Sequence, residues 1–401
     1  MNVEIFRGIR YAWAERFGPA QLMPFDAVSR ERERGPVSPQ VASRLEFVMG
    51  PAMPLRQSEH CQVLSIFSPA HSSKCPVMVF LHGGAFVTGG GELPWYDGDK
   101  LAGEQDLVVV TVTYRLGAFG YLHFPGGTGP SPGMSDQIAA LEWVKANIAA
   151  FGGDPGKVTV FGQSAGGMSI ACMLSWGYGN TLFSRAIVQS SPAGLNRTRA
   201  GAERISQEFV EFAGGDPRSM SAEALLAAQD RFAQGRRESQ DWAPVAPDVP
   251  PTNYVDLLTG WTRDDSLPFV LMRAGIKPCR DTDIGALMPQ VNKINPMFEY
   301  GCRQIAGEAV KAGRKAWLYR FDWAASESGL GASHCVDLPF LLGDFEAWRS
   351  APVLGNEPWE KIEIIGKTMR LAWANFARAG APDIEMEQMT ASAYPLHFLS
   401  P

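Results

Sequence analysis

Val158-Thr159-Val160-Phe161-Gly162-Gln163-Ser164-Ala165-Gly166 is an apolar run followed by small residues around one serine, and helix-competent sequence continues from Met168 to Leu174. Small residues on both sides of Ser164 permit a strained strand-to-helix turn that lifts the hydroxyl clear of a sheet, and the N-terminus of the following helix stabilises negative charge beside it. A G-x-S-x-G pentapeptide arises by chance about 0.3 times in a chain of this composition, so the strand before it and the helix after it carry the reading.

Working outward, Pro76–Leu81 and Leu107–Val112 are apolar without alternation, the pattern of strands buried on both faces in the middle of a parallel sheet. Val158–Phe161, Ala186–Val188, Tyr254–Leu258 and Ala316–Phe321 are expected as further strands. Met134, Ile138, Leu141, Val144, Ile148 and Phe151 recur at spacings of 4, 3, 3, 4 and 3, which is one face of a helix, and Ile362, Ile365, Met369, Trp373 and Phe376 repeat the pattern. Strands alternating with helices predict an α/β chain with a mostly parallel central sheet flanked by helices. Residues from about 194 to 251 break the rhythm with Ala/Glu/Gln/Arg-rich sequence and end in the Pro-rich stretch Pro244–Pro251. That segment is expected as a helical insertion over the sheet and the active site, within a single domain spanning 1–401.

The 401 residues are 45% hydrophobic and 19% charged, enough to bury a large core and too apolar for global disorder. A net charge of −6 without a basic block argues against nucleic acid and anionic membrane surfaces as partners. No apolar run approaches the roughly 20 residues of a membrane span. Met1-Asn2-Val3-Glu4-Ile5-Phe6-Arg7 contains an acid and no apolar h-region, which predicts a cytoplasmic protein. Six scattered cysteines without C-x-x-C spacing predict free buried thiols rather than disulfides or a zinc site. A monomer or small homo-oligomer is expected.

His82-Gly83-Gly84-Ala85-Phe86 follows the first apolar run directly. Small residues there let consecutive backbone N–H groups aim at one point, as an oxyanion hole requires. Among six histidines, His60, His71 and His397 lie in polar or terminal sequence and read as surface residues. His82 belongs to the Gly-rich loop and His123 precedes the serine. His334 follows the late strand Ala316–Phe321 and a flexible loop, which fits the chain order nucleophile, acid, histidine.

With these blocks in place the chain resembles the type B carboxylesterases, the carboxylesterase/cholinesterase group of the α/β-hydrolase fold. Phe151-Gly152-Gly153-Asp154-Pro155 and Val158–Gly166 match that family's serine signature at every fixed position. Further matching blocks are Gly8–Ala12, Gly35–Gln40, Thr113–Gly117, Asp136-Gln137, Gly331–His334 and Trp373–Pro382, so the resemblance covers nearly the whole chain. It implies Ser164 as nucleophile, His334 as general base, and the backbone N–H groups of Gly84, Ala85 and Ala165 as the oxyanion hole. The family's acid segment corresponds to Gly260-Trp261-Thr262-Arg263-Asp264-Asp265-Ser266, which points to Asp265, with Asp264 expected as a solvated loop carboxylate or a partner of Arg263. A buried pair is implied for Arg115 and Asp136. The chain departs from the family in carrying Asp for the usual Glu acid, Gln163 where Glu is commonest, and Ser38 where many relatives carry the cysteine that pairs with Cys61.

The activity implied is hydrolysis of small to medium apolar carboxylic esters through an acyl-enzyme, with no metal or organic cofactor. The same triad serves an amidase or carbamate hydrolase, and the family also includes non-catalytic interaction proteins, which lose the serine or another triad residue.

Overall fold

Strands apolar on both faces need cover on both sides, and the sheet they build is buried on both. In the computed structural model of the chain, residues 2–25, 33–194, 196–234, 236, 241–248, 253–383 and 396–399 are described. The strands are β1 (Val3–Arg10), β2 (Ala12–Trp13), β3 (Gln21–Leu22), β4 (Val63–Pro69), β5 (Cys75–Leu81), β6 (Val108–Val112), β7 (Gly153–Gln163), β8 (Arg185–Gln189), β9 (Asp256–Thr262), β10 (Ala316–Phe321) and β11 (Leu396–Leu399). Nine form one sheet in the order β1-β4-β6-β5-β7-β8-β9-β10-β11, and β2 pairs with β3. The six strands from β6 to β10 run parallel, while β1, β4 and β11 are antiparallel to their neighbours at the two edges.

The period of two along each central strand divides its side chains between two cores. Val77, Val79 and Leu81 of β5 enter one core with the helices Pro132–Asn147 and Ala165–Ser175. Met78 and Phe80 enter the other, against the helices Leu267–Ala274 and Trp359–Ala379. The expected helical faces turn inward, with Met134, Ile138, Leu141, Val144, Ile148 and Phe151 in the first core, Ile362, Met369, Trp373 and Phe376 in the second, and Ile365 half-buried at its margin.

One expected strand is displaced. Tyr254–Leu258 yields to Asp256–Thr262, because neighbours on both sides extend the ladder: Gln189 of β8 pairs with Gly260, and Phe321 of β10 pairs with Thr262. That extension carries the backbone directly to Asp264 and Asp265.

Between β8 and β9 lie the helices Arg199–Ala213 and Ala222–Gln234. Phe209, Phe232 and Trp242 stack edge to face or tilted at 5.3–6.3 Å between ring centroids, and Gln229 Oε1 accepts a hydrogen bond from Ala118 N at 2.7 Å. Within the insertion expected over 194–251, residues 195, 235, 237–240 and 249–251 lie outside the described residues.

Candidate active site

β7 ends at Gln163, and the helix Ala165–Ser175 begins two residues later. The whole reversal falls on Ser164, at φ 56° and ψ −119°. A non-glycine residue there is strained, and its surroundings must hold it. Ser164 N donates to Gln189 O of β8 at 2.8 Å. The flanking glycines let strand and helix approach: a Cβ on Gly166 would stand 1.9 Å from Leu81 O, and one on Gly162 would stand 2.7 Å from the Gly166 carbonyl carbon.

The Gly-rich loop after β5 lies against this turn, since a Cβ on Gly83 would stand 3.2 Å from Ser164 Cβ. Three consecutive residues, Gly84, Ala85 and Phe86, have φ of 114°, 53° and 62°. Gly84 O accepts from Val87 N and Thr88 N, and Phe86 O accepts from Gly117 N at 2.6 Å. Among the described residues the N–H groups of Gly84 and Ala85 meet no acceptor, and Ala165 N, at the first helical position, has no intrahelical one. Below the loop, the His82 ring stacks on Tyr114 at 4.3 Å and its Nδ1 lies 2.7 Å from Gly83 O. Burial holds His82 down at about 4, so it stays neutral and serves as packing.

Asp265 and His334 come from loops 69 residues apart and meet with His334 Nδ1 2.5 Å from Asp265 Oδ1, both groups buried. The other carboxylate oxygen of Asp265 accepts from Ser190 Oγ at 2.7 Å and Thr262 N at 3.0 Å. Asp264, one residue earlier, points elsewhere: its Oδ2 accepts from Ala332 N at 2.9 Å and it pairs with Arg263, while Asp264 N donates to Ala332 O. It is 4% exposed, so the expectation of a solvated carboxylate is corrected. Paired with Arg263 as expected, it also pins the loop that carries His334. Phe269 and Phe298 flank the imidazole at 5.3 and 5.2 Å.

At its outer nitrogen, His334 Nε2 meets Gln163 Nε2 at 3.1 Å, and no hydrogen bond joins it to Ser164 Oγ among the described residues. Behind the imidazole, Asp337 is fully buried, its Oδ2 accepting from Gln189 Nε2 at 2.7 Å. Burial, with the Asp265 charge adding, pushes the Asp337 carboxyl up to about 6 against the Gln189 hydrogen bond. Ser190, Gln189 and Asp337 lie in no motif that would have singled them out, and Thr262, within the acid segment, acts through its backbone N–H, which any residue there supplies.

Arg115 binds Asp136 through two side-chain hydrogen bonds of 2.8 and 2.7 Å and one from its backbone N at 3.0 Å, and ties in the carbonyls of Glu15, Gly18 and Pro132, a buried structural pair. All six cysteines are free; five are buried as expected, while Cys279 is exposed, and Ser38 Oγ accepts from Leu116 N. His60, His71 and His397 are exposed. No described helix is long and apolar enough to cross a membrane.

The model of the carboxylesterase family matches residues 1–275. A probable N-octanoylanthranilate hydrolase of Rhodococcus erythropolis is 37% identical over 99% of this chain and 92% of its own. The para-nitrobenzyl esterase of Bacillus subtilis is 33% identical over 82% of this chain and 76% of its own. A solved PNB esterase structure superposes with a TM-score of 0.81 at 30% identity, covering 98% of this chain and 90% of that one.

Proposed function

We propose, from the premise that this chain belongs to the carboxylesterase family and is a serine carboxylic ester hydrolase, that Ser164, Asp265 and His334 are its triad and Gly84, Ala85 and Ala165 its oxyanion hole. His334 Nε2 takes the proton of Ser164 Oγ as that oxygen attacks the ester carbonyl. Asp265 keeps the proton on Nδ1 and stabilises the imidazolium that forms. The negative oxygen of the tetrahedral intermediate is received by the three N–H groups, those of Gly84 and Ala85 on backbone held at positive φ. His334 then protonates the departing alkoxide. Water repeats the attack on the acyl-enzyme, releasing the acid and free Ser164. The observation that carries this reading is the 2.5 Å contact between His334 and Asp265, two buried groups brought to the serine turn from separate loops.

The substrates we propose are small to medium apolar carboxylic esters. A second reading, hydrolysis of an N-acyl bond, is favoured by one observation, the 37% identity over 99% of the chain to a protein named as an N-octanoylanthranilate hydrolase. One chain supplies every residue named, so a monomer suffices and a small homo-oligomer adds nothing to the chemistry. Six free cysteines, five of them buried, suit the reducing cytoplasm, where we place the enzyme. A rate series of p-nitrophenyl esters from acetate to laurate, each with its matched anilide, tests both readings. Esters cleaved faster than anilides at every length support the first, anilides faster the second, and neither cleaved contradicts both.

A further inference from the structure

Gln163 is given no task by the acyl transfer described above, yet it touches the base. It ends β7 directly before Ser164, is buried, and turns its amide toward His334, Nε2 to Nε2 at 3.1 Å. Its Oε1 faces the Cys335 thiol at 3.7 Å, and a Cβ on Gly83 would stand 2.8 Å from that oxygen. With Phe269 and Phe298 beside the ring, Asp265 and Gln163 are the only hydrogen-bond partners of the imidazole among the described residues.

We infer that Gln163 is a positioning residue that holds the resting base: its amide N–H donates to His334 Nε2, favours the neutral imidazole, and yields that nitrogen to Ser164 as substrate enters. This inference rests on the triad reading. The Nδ1 atom faces a carboxylate and therefore carries the proton, which leaves a lone pair on Nε2. Only a donor can face a lone pair, so the NH2 end of the amide points to His334, and the Cys335 S–H donates to the oxygen end. A carboxylate at the same place has no proton to give and attracts the imidazolium instead. Glutamine thus biases the resting site toward the form that acts as a base, where glutamate biases it toward the protonated form.

The other ionisable groups around the His334–Asp265 pair are Asp337 and Cys335 on the histidine's own loop and, facing Asp265, Cys302 from the helix Pro296–Lys311 and Tyr319 of β10. Burial pushes Cys302 up to about 12 and Cys335 and Tyr319 well above their ordinary values, so these three stay neutral. Asp337 changes charge near 6, but it is common to every variant at position 163. Differences between their profiles therefore isolate the amide.

The test measures kcat/KM for a p-nitrophenyl ester between about pH 5 and 9 in the full chain as wild type, Gln163→Glu and Gln163→Met, each counted by organophosphate titration of its serine. The acid limb of Gln163→Glu is expected to move up by about one pH unit or more. That of Gln163→Met, which loses the donor without gaining charge, moves less in the same direction, and KM changes little in both. Superimposable limbs, or a Gln163→Glu limb moved downward, overturn the inference. Should Gln163→Glu not fold, a Gln163→Met limb coincident with wild type overturns it alone. A wild-type enzyme that takes up no organophosphate refutes the triad reading instead, a result distinct from a failed shift.

Discussion

The two halves of the site are held in place by different means. On the serine side, Ser164 and the N–H groups lie in two continuous segments, His82–Phe86 and Gly162–Gly166, where small residues let backbone touch backbone and positive φ values at Ser164, Ala85 and Phe86 store strain, and the outside partners Gln189 O and Gly117 N are backbone atoms too. On the histidine side, positioning is carried mainly by side chains from remote segments: Ser190 Oγ holds Asp265, Asp264 holds Ala332, and Gln189 holds Asp337, with the nearby backbone N–H of Thr262 as a second donor to Asp265. A backbone-built site tolerates no added atom, whereas a side-chain-built site tolerates substitutions that keep the hydrogen bond. The predictions below follow from that contrast.

Ser164→Ala, which removes the nucleophile and leaves both frameworks intact, is expected to lower kcat by about 10⁴-fold or more with Tm unchanged. Asp265→Asn attacks the histidine side at its centre. By favouring the wrong imidazole tautomer it is expected to lower kcat by about 10²–10⁴ with little change in KM. Gly166→Ala strikes the serine side, where the new methyl meets Leu81 O; denaturant unfolding should show a loss of about 1–3 kcal/mol together with lost activity.

Asp337→Asn tests the buried carboxylate network through stability. The folded carboxyl sits near 6, above its ordinary 3.8, so the stability it contributes is full below 3.8 and is lost as pH rises through 6. At pH values near 8 the native site buries a charge that Asn, still able to accept from Gln189, does not. The substitution is expected to stabilise by about 1–3 kcal/mol there and by nearly nothing near pH 4. Asp264→Asn is the mildest: it retains an acceptor for Ala332 N, loses the Arg263 charge pair, and should keep kcat within about tenfold.

The same contrast explains what could be read in the sequence. The central strands and the serine turn are local patterns, an apolar run and a spacing of small residues, and they stand where expected. The edge strands were not anticipated, because β1 interleaves Glu4, Arg7 and Arg10 with its apolar residues and β4 carries Ser65, Ser68 and Pro69. Those serines are buried only because Glu92 and Phe151 O receive their hydroxyls, partners 27 and 83 residues away. Asp265 was separable from Asp264 only through resemblance. Adjacent carboxylates with the same composition around them diverge because one meets His334 and the other Ala332, contacts that exist only after folding. Gln163 stood out as an unusual residue at its position, but the ring it faces lies 171 residues away.

The central claim is that Ser164 is the nucleophile that this fold activates. Intact-mass and peptide mass spectrometry after treatment with an organophosphate measures it most directly. The account predicts one adduct per chain, on the peptide containing Gly162 to Gly166, formed in step with loss of esterase activity and absent in Ser164→Ala. An adduct on another residue, or full inactivation with that peptide unmodified, contradicts it.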